Sequence, residues 1–270
     1  MSYNLLKGKK GIIFGALNVD SIAWKVALKA HEEGAEFILT NAPVALRMGE
    51  LDELAKATGS DVVSADVTSM EDLENLFNKT AEKFGKIDFI LHSIGMSVNV
   101  RKKIPYTESN YDFYAKGIDI SAISFHRVMK IAKEKDIMNE WGSIVALSYI
   151  AAQLAIPGYN DMSDAKSLLE SIARTFGYYY GLDKKVRVNT ISQSPTKTTA
   201  GNGIKGFNSL YNFANSNSPL GNASSEACAD YCITLFSDLT KYVTMQNLYH
   251  DGGFSKTAVT DRTMSHFEER

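Results

Sequence analysis

Cysteine, proline and unbalanced charge are all scarce: the 270 residues hold two cysteines and five prolines, and 29 basic residues face 31 acidic ones for a formal net charge of -2. That near balance, with no basic stripe carrying interleaved aromatics, excludes the usual footprint of a nucleic-acid binder. Two cysteines make no disulfide framework, and no second Cys or His pair stands at zinc-site spacing. Cys228 and Cys232 lie one helical turn apart and read as small buried apolar residues of a protein from a reducing compartment. No apolar run is long enough to cross a bilayer, and the start of the chain is polar and then basic, without the apolar core of a signal peptide. A cytoplasmic protein with no membrane partner is expected. Internal repeats, low-complexity tracts and linker-like composition shifts are absent as well.

What is present is an alternation of short apolar runs with longer amphipathic stretches, the pattern of stacked βαβ units. The runs at 10–14, 36–40, 61–64, 89–92, 142–147, 187–191 and 246–250 read as strands. Between them, 21–33, 46–57, 70–84, 111–133, 161–180 and 225–236 carry apolar residues at helical spacing. Right-handed crossovers then give an α/β fold, a doubly wound parallel sheet of Rossmann type with helices on both faces and the ligand beyond the carboxyl ends of the strands. Residues 1–270 read as one dinucleotide-binding domain. The Ser-, Asn-, Gly- and Thr-rich stretch 196–222, with a weak stripe of Ile204, Phe207, Leu210 and Phe213, reads as a substrate lid or as a plain surface helix.

Several residues suit chemistry at that edge. Gly15 ends the first strand and Ser21 opens a helix, so the turn between them suits a pyrophosphate, although G-x-G-x-x-G is absent. After the second strand the chain reads Thr40-Asn41-Ala42-Pro43, without the acid that commonly accepts from an adenosine ribose, and Arg47 follows as a residue able to meet a 2′-phosphate. Asp66 suits either an adenine amino group or a turn. Tyr159 and Lys166 stand two helical turns apart, which predicts one shared helical face and an ammonium that lowers the phenol's pKa; a core tyrosine and a solvated lysine fit the same spacing. His31, His92, His126, His250 and His266 are scattered and read as structural.

Tyr149, Tyr159 and Lys166 together form a Y-x9-Y-x6-K pattern, and with it the chain resembles the type I enoyl-acyl-carrier-protein reductases, a divergent branch of the short-chain dehydrogenases. Further matching pieces are Ser21-Ile22-Ala23-Trp24, Asp66-Val67, His92-Ser93-Ile94-Gly95, 156–160, 186–189, 203–205 and Asp251-Gly252-Gly253-Phe254, so the resemblance spans nearly the whole chain. Ordinary short-chain dehydrogenases have Tyr-x3-Lys, and here Ser163 occupies that lysine's place. The resemblance implies NADH-dependent reduction of a trans-2-enoyl thioester on acyl carrier protein, the last reductive step of bacterial fatty acid elongation, by a homotetramer. It implies that Gly15, Ser21 and Ile22 meet the pyrophosphate, Asp66 and Val67 the adenine, Ser93, Ile94 and Gly95 the nicotinamide half, and Lys166 the nicotinamide ribose. Pro195, Thr196 and Thr198 would contact the carboxamide and pyrophosphate, with Ser148 lining the same pocket. Tyr149, Tyr159 and Lys166 would be catalytic, and Ser97, Tyr149, Tyr159, Met162, Ile204 and Phe207 would line the substrate side; no metal is implied. A related NAD(P)H-dependent reductase acting on a carbonyl is the alternative. Three departures from better-known members stand out: Gln193-Ser194-Pro195-Thr196 where Ala-Gly-Pro-Ile is common, Ala42 where a polar side chain is common, and a lid with few basic residues beyond Lys205.

Overall fold

Short β-branched runs flanked by amphipathic helices build one parallel sheet in this computed structural model, which describes residues 2–47 and 50–267. The strands are β1 (Lys10–Phe14), β2 (Glu36–Asn41), β3 (Asp61–Ser64), β4 (Ile87–His92), β5 (Met138–Ser148), β6 (Arg187–Gln193) and β7 (Asn247–His250). Their order is β3-β2-β1-β4-β5-β6-β7 and every pairing is parallel, with Ile12 opposite Ile38 on one side and Ile90 on the other. The winding reverses between β1 and β4, so a crevice opens beyond their carboxyl ends.

The principal helices are α1 (Ile22–Glu32), α2 (Leu51–Thr58), α3 (Met70–Phe84), α4 (Tyr111–Ile118), α5 (Ser124–Glu134), α6 (Met162–Lys184), α7 (Phe207–Asn217) and α8 (Ser225–Phe236). Side-chain alternation along each strand sorts the core into two layers. On one face Ile12, Phe14, Ile38, Ile90 and Ile144 pack with Leu73 and Phe77 of α3, Phe125 and Met129 of α5, and Leu169 and Ala173 of α6. On the other, Ile13, Phe37, Leu39, Leu91 and Val145 pack with Trp24 and Ala27 of α1, Leu54 of α2, and Cys228, Cys232 and Phe236 of α8. Both cysteines are buried and free, as their spacing predicted.

Strand ends differ from the sequence expectation by up to four residues, as at β5, and three helical segments differ in ways that bear on the site. The helix expected over 46–57 is a short turn of helix, Pro43–Leu46, followed by α2, and residues 48 and 49 of that span lie outside the described residues. The single helix expected over 111–133 is broken by a π-turn at Asp119–Ile123, a register change that hydrophobic periodicity does not reveal. The helix expected to begin at 161 begins at Met162, so Tyr159 stands in the loop before it and not on its face. No described helix is long and apolar enough to cross a membrane.

Candidate active site

The floor of the crevice is backbone brought into close approach. Gly15 follows β1 with φ +92°, and a Cβ there would lie 2.1 Å from the Ser93 carbonyl oxygen, so only glycine lets the turn after β1 touch the loop after β4. Gly15 N–H donates to Thr40 (3.1 Å) and Ser93 N–H to Phe14 (3.3 Å), knitting three strand ends together. Ser21 occupies the N-cap position of α1, but its hydroxyl does not cap the helix. It donates to the Asn18 carbonyl (2.7 Å) and accepts from Leu17 N–H (3.2 Å), shaping the turn instead. The first turn of α1 therefore has neither a side-chain cap nor an acidic residue, and its N-terminus at the switch point suits a pyrophosphate.

Toward the adenosine end the polar side chains are already engaged. Asn41 donates to the Ala16 carbonyl (2.8 Å), and the Asp66 carboxylate accepts from the Thr68 N–H (2.9 Å) and hydroxyl (2.7 Å), the turn alternative for that aspartate. The Val67 side chain is buried in the core layer with Leu73 and Phe77, so any adenine contact there falls to the backbone. Arg47 is exposed just past Pro43–Leu46.

The π-turn finds its use in the loop after β4. Ser121 within it accepts from Met96 N–H (2.9 Å) and donates to the Met96 carbonyl (3.0 Å), fixing the Ser93-Ile94-Gly95 segment from behind. Ser124 donates to the Ile120 carbonyl (2.6 Å), which leaves its oxygen to accept from His92 Nε2 at 2.9 Å. His92 is thereby the Nε2–H tautomer, with Nδ1 buried and unpartnered. Burial, reinforced by the Lys166 charge, pushes its pKa down to about 3, so it stays neutral, and a structural role fits.

At the reacting end, Lys166 is 6% exposed and its Nζ donates to the Leu147 carbonyl at 2.7 Å. A Cβ on Gly95 would lie 3.7 Å from that Nζ and 3.3 Å from Met162 Cε, so Lys166 and Met162 both abut the loop after β4. Tyr159 packs 4.9 Å from Tyr149, ring centroid to centroid, and joins two apolar clusters: one with Tyr149, Ile150, Ala214 and Phe254, the other with Val100, Met162, Ala165 and Ile204. The Tyr149 hydroxyl is buried without a hydrogen-bond partner among the described residues.

The electrostatics correct the sequence expectation. Tyr159 is half-buried, and desolvation with the neighbouring Tyr149 raises its pKa well above the ordinary 10.0. Tyr149 is raised in the same way, by burial and then by Asp251. Lys166 does not lower the phenol: no hydrogen bond joins the pair among the described residues, desolvation governs Tyr159, and burial takes Lys166 itself down to about 8 against the opposing charge of Glu170. Tyr159 is therefore a neutral hydrogen-bond donor throughout the ordinary pH range.

The remaining expected residues fall around this centre unevenly. The Ser97 hydroxyl donates to Asp161 (2.5 Å) and accepts from Val100 N–H (3.0 Å), so it holds the loop and has no hydrogen left for a ligand. Ser148 donates to Glu170 (2.6 Å), pointing along the floor and not at the tyrosines. Pro195 is buried, Thr196 donates to the Ser194 carbonyl (2.8 Å), and Thr198 accepts from Gly201 N–H (3.0 Å), so these side chains organise the bend after β6. Phe207 is buried beside Gly201 and Tyr211, apart from the cluster that holds Ile204.

Other residues of the site were not foreseen. Asn18 donates to the Thr199 hydroxyl (2.9 Å), tying the turn after β1 to the base of 196–222. Glu170, 5% exposed, accepts from Ser148 and Gln153. Asp161, 2% exposed, accepts from Ser97 and Asn99. Gln193, one of the departures noted above, meets His250 Nδ1 (2.7 Å) and donates to the Ala223 carbonyl (3.1 Å), with Tyr231 stacked on His250. The nearest sequence signal was position: Glu170 falls one helical turn after Lys166, and Asp161 two residues after Tyr159.

Comparison with known proteins agrees with this geometry. The family model for enoyl-(acyl carrier protein) reductase matches residues 15–255. A crystal structure of a FabI–NADH complex from Alistipes finegoldii is 64% identical with a TM-score of 0.97, covering 98% of this chain and 94% of that one. Enoyl-acyl-carrier-protein reductase (NADH) 1 of Rhizobium meliloti is 36% identical over 252 residues, 93% of this chain and 91% of the relative. Its Bacillus subtilis counterpart is 33% identical over 256 residues, 94% and 98% of the two chains. With a doubly wound sheet whose crevice lies at the β1/β4 switch point, the chain belongs to the enoyl-(acyl carrier protein) reductase family.

Proposed function

We propose that the chain reduces the trans-2 double bond of an enoyl thioester carried on acyl carrier protein, with NADH as the reductant, in fatty acid biosynthesis. The observation that carries this reading is the packing of the neutral Tyr159 phenol against Tyr149, 4.9 Å between ring centroids, with Met162 of the Tyr159 cluster and Lys166 both abutting the loop after β4. When bound, NADH supplies a hydride to the β-carbon of the substrate. Gly15, Ile22 and the open N-terminus of α1 suit its pyrophosphate, Asp66 and Val67 its adenine side, Ser93, Ile94 and Gly95 its nicotinamide half, Lys166 its ribose, and Pro195, Thr196 and Thr198 the far rim.

Hydride addition leaves negative charge on the thioester oxygen as an enolate. The Tyr159 O–H donates a hydrogen bond that strengthens as this charge grows, from a ring packed against two apolar clusters. A phenol of ordinary acidity would release its proton more readily; one held above 10.0 keeps it as a bridging donor. Lys166, fixed by Leu147 and supported by Glu170, holds a positive charge at the floor. Tyr149 shapes the pocket and offers its O–H toward the α-carbon side. Residues 1–270 act as one unit in this reading, with 196–222 as lid, in the cytoplasm and as a homotetramer. Mixing the protein with NADH and a short enoyl thioester, and following loss of the reduced nicotinamide absorbance, tests it. Oxidation at enzymatic rates is expected, and no oxidation with NADH or NADPH would remove the reading.

A further inference from the structure

Few basic residues stand in 196–222, but a basic run follows Val100 beside the Tyr159 cluster. Arg101, Lys102 and Lys103 are consecutive, all exposed, and none makes an ion pair among the described residues, in a chain whose net charge is negative. Lys102 lies over the Phe113 ring at 4.8 Å, which leaves its charge at the surface. The run is held at the site and not on a loose loop. Val100, immediately before it, packs with Met162 and Ala165 against Tyr159 and Ile204. Ile104, immediately after it, accepts from Asn160 Nδ2 at 2.5 Å, and Ser97 and Asn99 are bound to the Asp161 carboxylate at 2.5 and 2.9 Å. The residues that clamp the run are thus the two that follow Tyr159. Across the same cluster stands exposed Lys205: a Cβ on Gly158 would lie 3.0 Å from its carbonyl oxygen, and Ile204 beside it touches the Tyr159 cluster. Nearby Glu108 and Asp112 are exposed but leave the segment 97–118, which also holds Lys116, with four basic residues against two acidic ones.

We infer that Arg101, Lys102 and Lys103, with Lys205 opposite, form the docking surface for an acidic protein face that delivers the thioester into the pocket. This rests on the function proposed above. Charge placed at a rim guides encounter and raises the association rate more than it tightens the reacting complex, so the effect belongs in kcat/KM and fades with salt. The test compares an enoyl chain on acyl carrier protein with the same chain on N-acetylcysteamine, an uncharged thioester with no protein to dock. Combined Arg101→Glu, Lys102→Glu and Lys103→Glu changes are expected to lower kcat/KM for the carrier-bound substrate about tenfold or more and flatten its ionic-strength dependence. The N-acetylcysteamine substrate should be reduced as before. Lys205→Glu and the milder Lys102→Gln with Lys103→Gln should give smaller losses in the same direction, and Lys56→Glu, exposed on α2, none. Equal loss on both substrates, or no loss on the carrier-bound one, would overturn the docking surface. Failure of the unaltered protein to reduce either substrate would instead overturn the function on which it rests.

Discussion

Along the β1–β3 side of the crevice several polar side chains are engaged by neighbouring backbone or side chains: Ser21 bonds Leu17 and Asn18, Asn41 bonds Ala16, and Asp66 bonds Thr68, while the buried Thr40 hydroxyl has no partner among the described residues. At the reacting end the Tyr149 hydroxyl has no partner, and both phenols and the Lys166 ammonium sit in surroundings that disfavour their charged forms. The two regions differ in that Tyr149, Tyr159 and Lys166, all shifted by burial, gather at the second. Strongly perturbed titratable groups are common where chemistry is done, and Tyr149, Tyr159 and Lys166 fit that pattern.

Three measurements would sharpen or break that contrast. The largest effect is expected from Tyr159→Phe, which removes the donor and keeps the ring packing: kcat should fall about 100- to 1000-fold, while NADH affinity by fluorescence titration stays within about twofold. Activity close to the unaltered enzyme would show that the reacting end works without this phenol. Gly15→Ala acts at the other end through shape alone. A Cβ placed 2.1 Å from the Ser93 oxygen at a positive φ forces the loop after β4 to move, so stability should drop by about 1–3 kcal/mol and NADH should bind more weakly. Unchanged calorimetric melting and NADH affinity would mean the close approach is not required.

The third and smallest effect is a pH dependence from Lys166. With its pKa lowered from 10.5 to about 8, the folded chain gives up this proton earlier than the unfolded chain does. Above about pH 8 kcat/KM should fall with a one-proton slope as the ammonium is lost. Stability moves oppositely: between about 8 and 10.5 the unfolded state binds more protons, so this group's contribution to stability rises with pH across that window. Lys166→Met should abolish both trends, read by a rate profile and by melting against pH. A rate profile flat to pH 10 would place the lysine outside the rate-determining field.

Much of the frame was legible because local pattern suffices for it. Each strand could be found from its apolar run, and the alternation of strands with helical periodicity left a doubly wound parallel sheet as the economical arrangement. Gly15, Lys166 and the tyrosines were identifiable from motif and place. The π-turn was not, since inserting one residue into a helical turn leaves the apolar spacing nearly intact, yet it sets Ser121 against Met96. Asp161 and Glu170 were also hidden: an acidic residue in a polar stretch reads as solvated, and only the fold shows each one buried and hydrogen-bonded.

The amino-acid order by itself determined the sheet, the placing of reactive residues at its carboxyl edge and the burial of the cysteine pair, because hydrophobic period and turn chemistry are local quantities. The tertiary structure alone decided how Tyr159 reaches the site. The spacing to Lys166 suggested one helical face, but the helix starts at Met162, and the tyrosine is held from a loop by Tyr149, Met162 and Ile204. It also decided the sign of the phenol's shift. Desolvation depends on every neighbour that displaces water, and those neighbours come from α6 and from the segments after β4, β5, β6 and β7, which meet only in the folded chain.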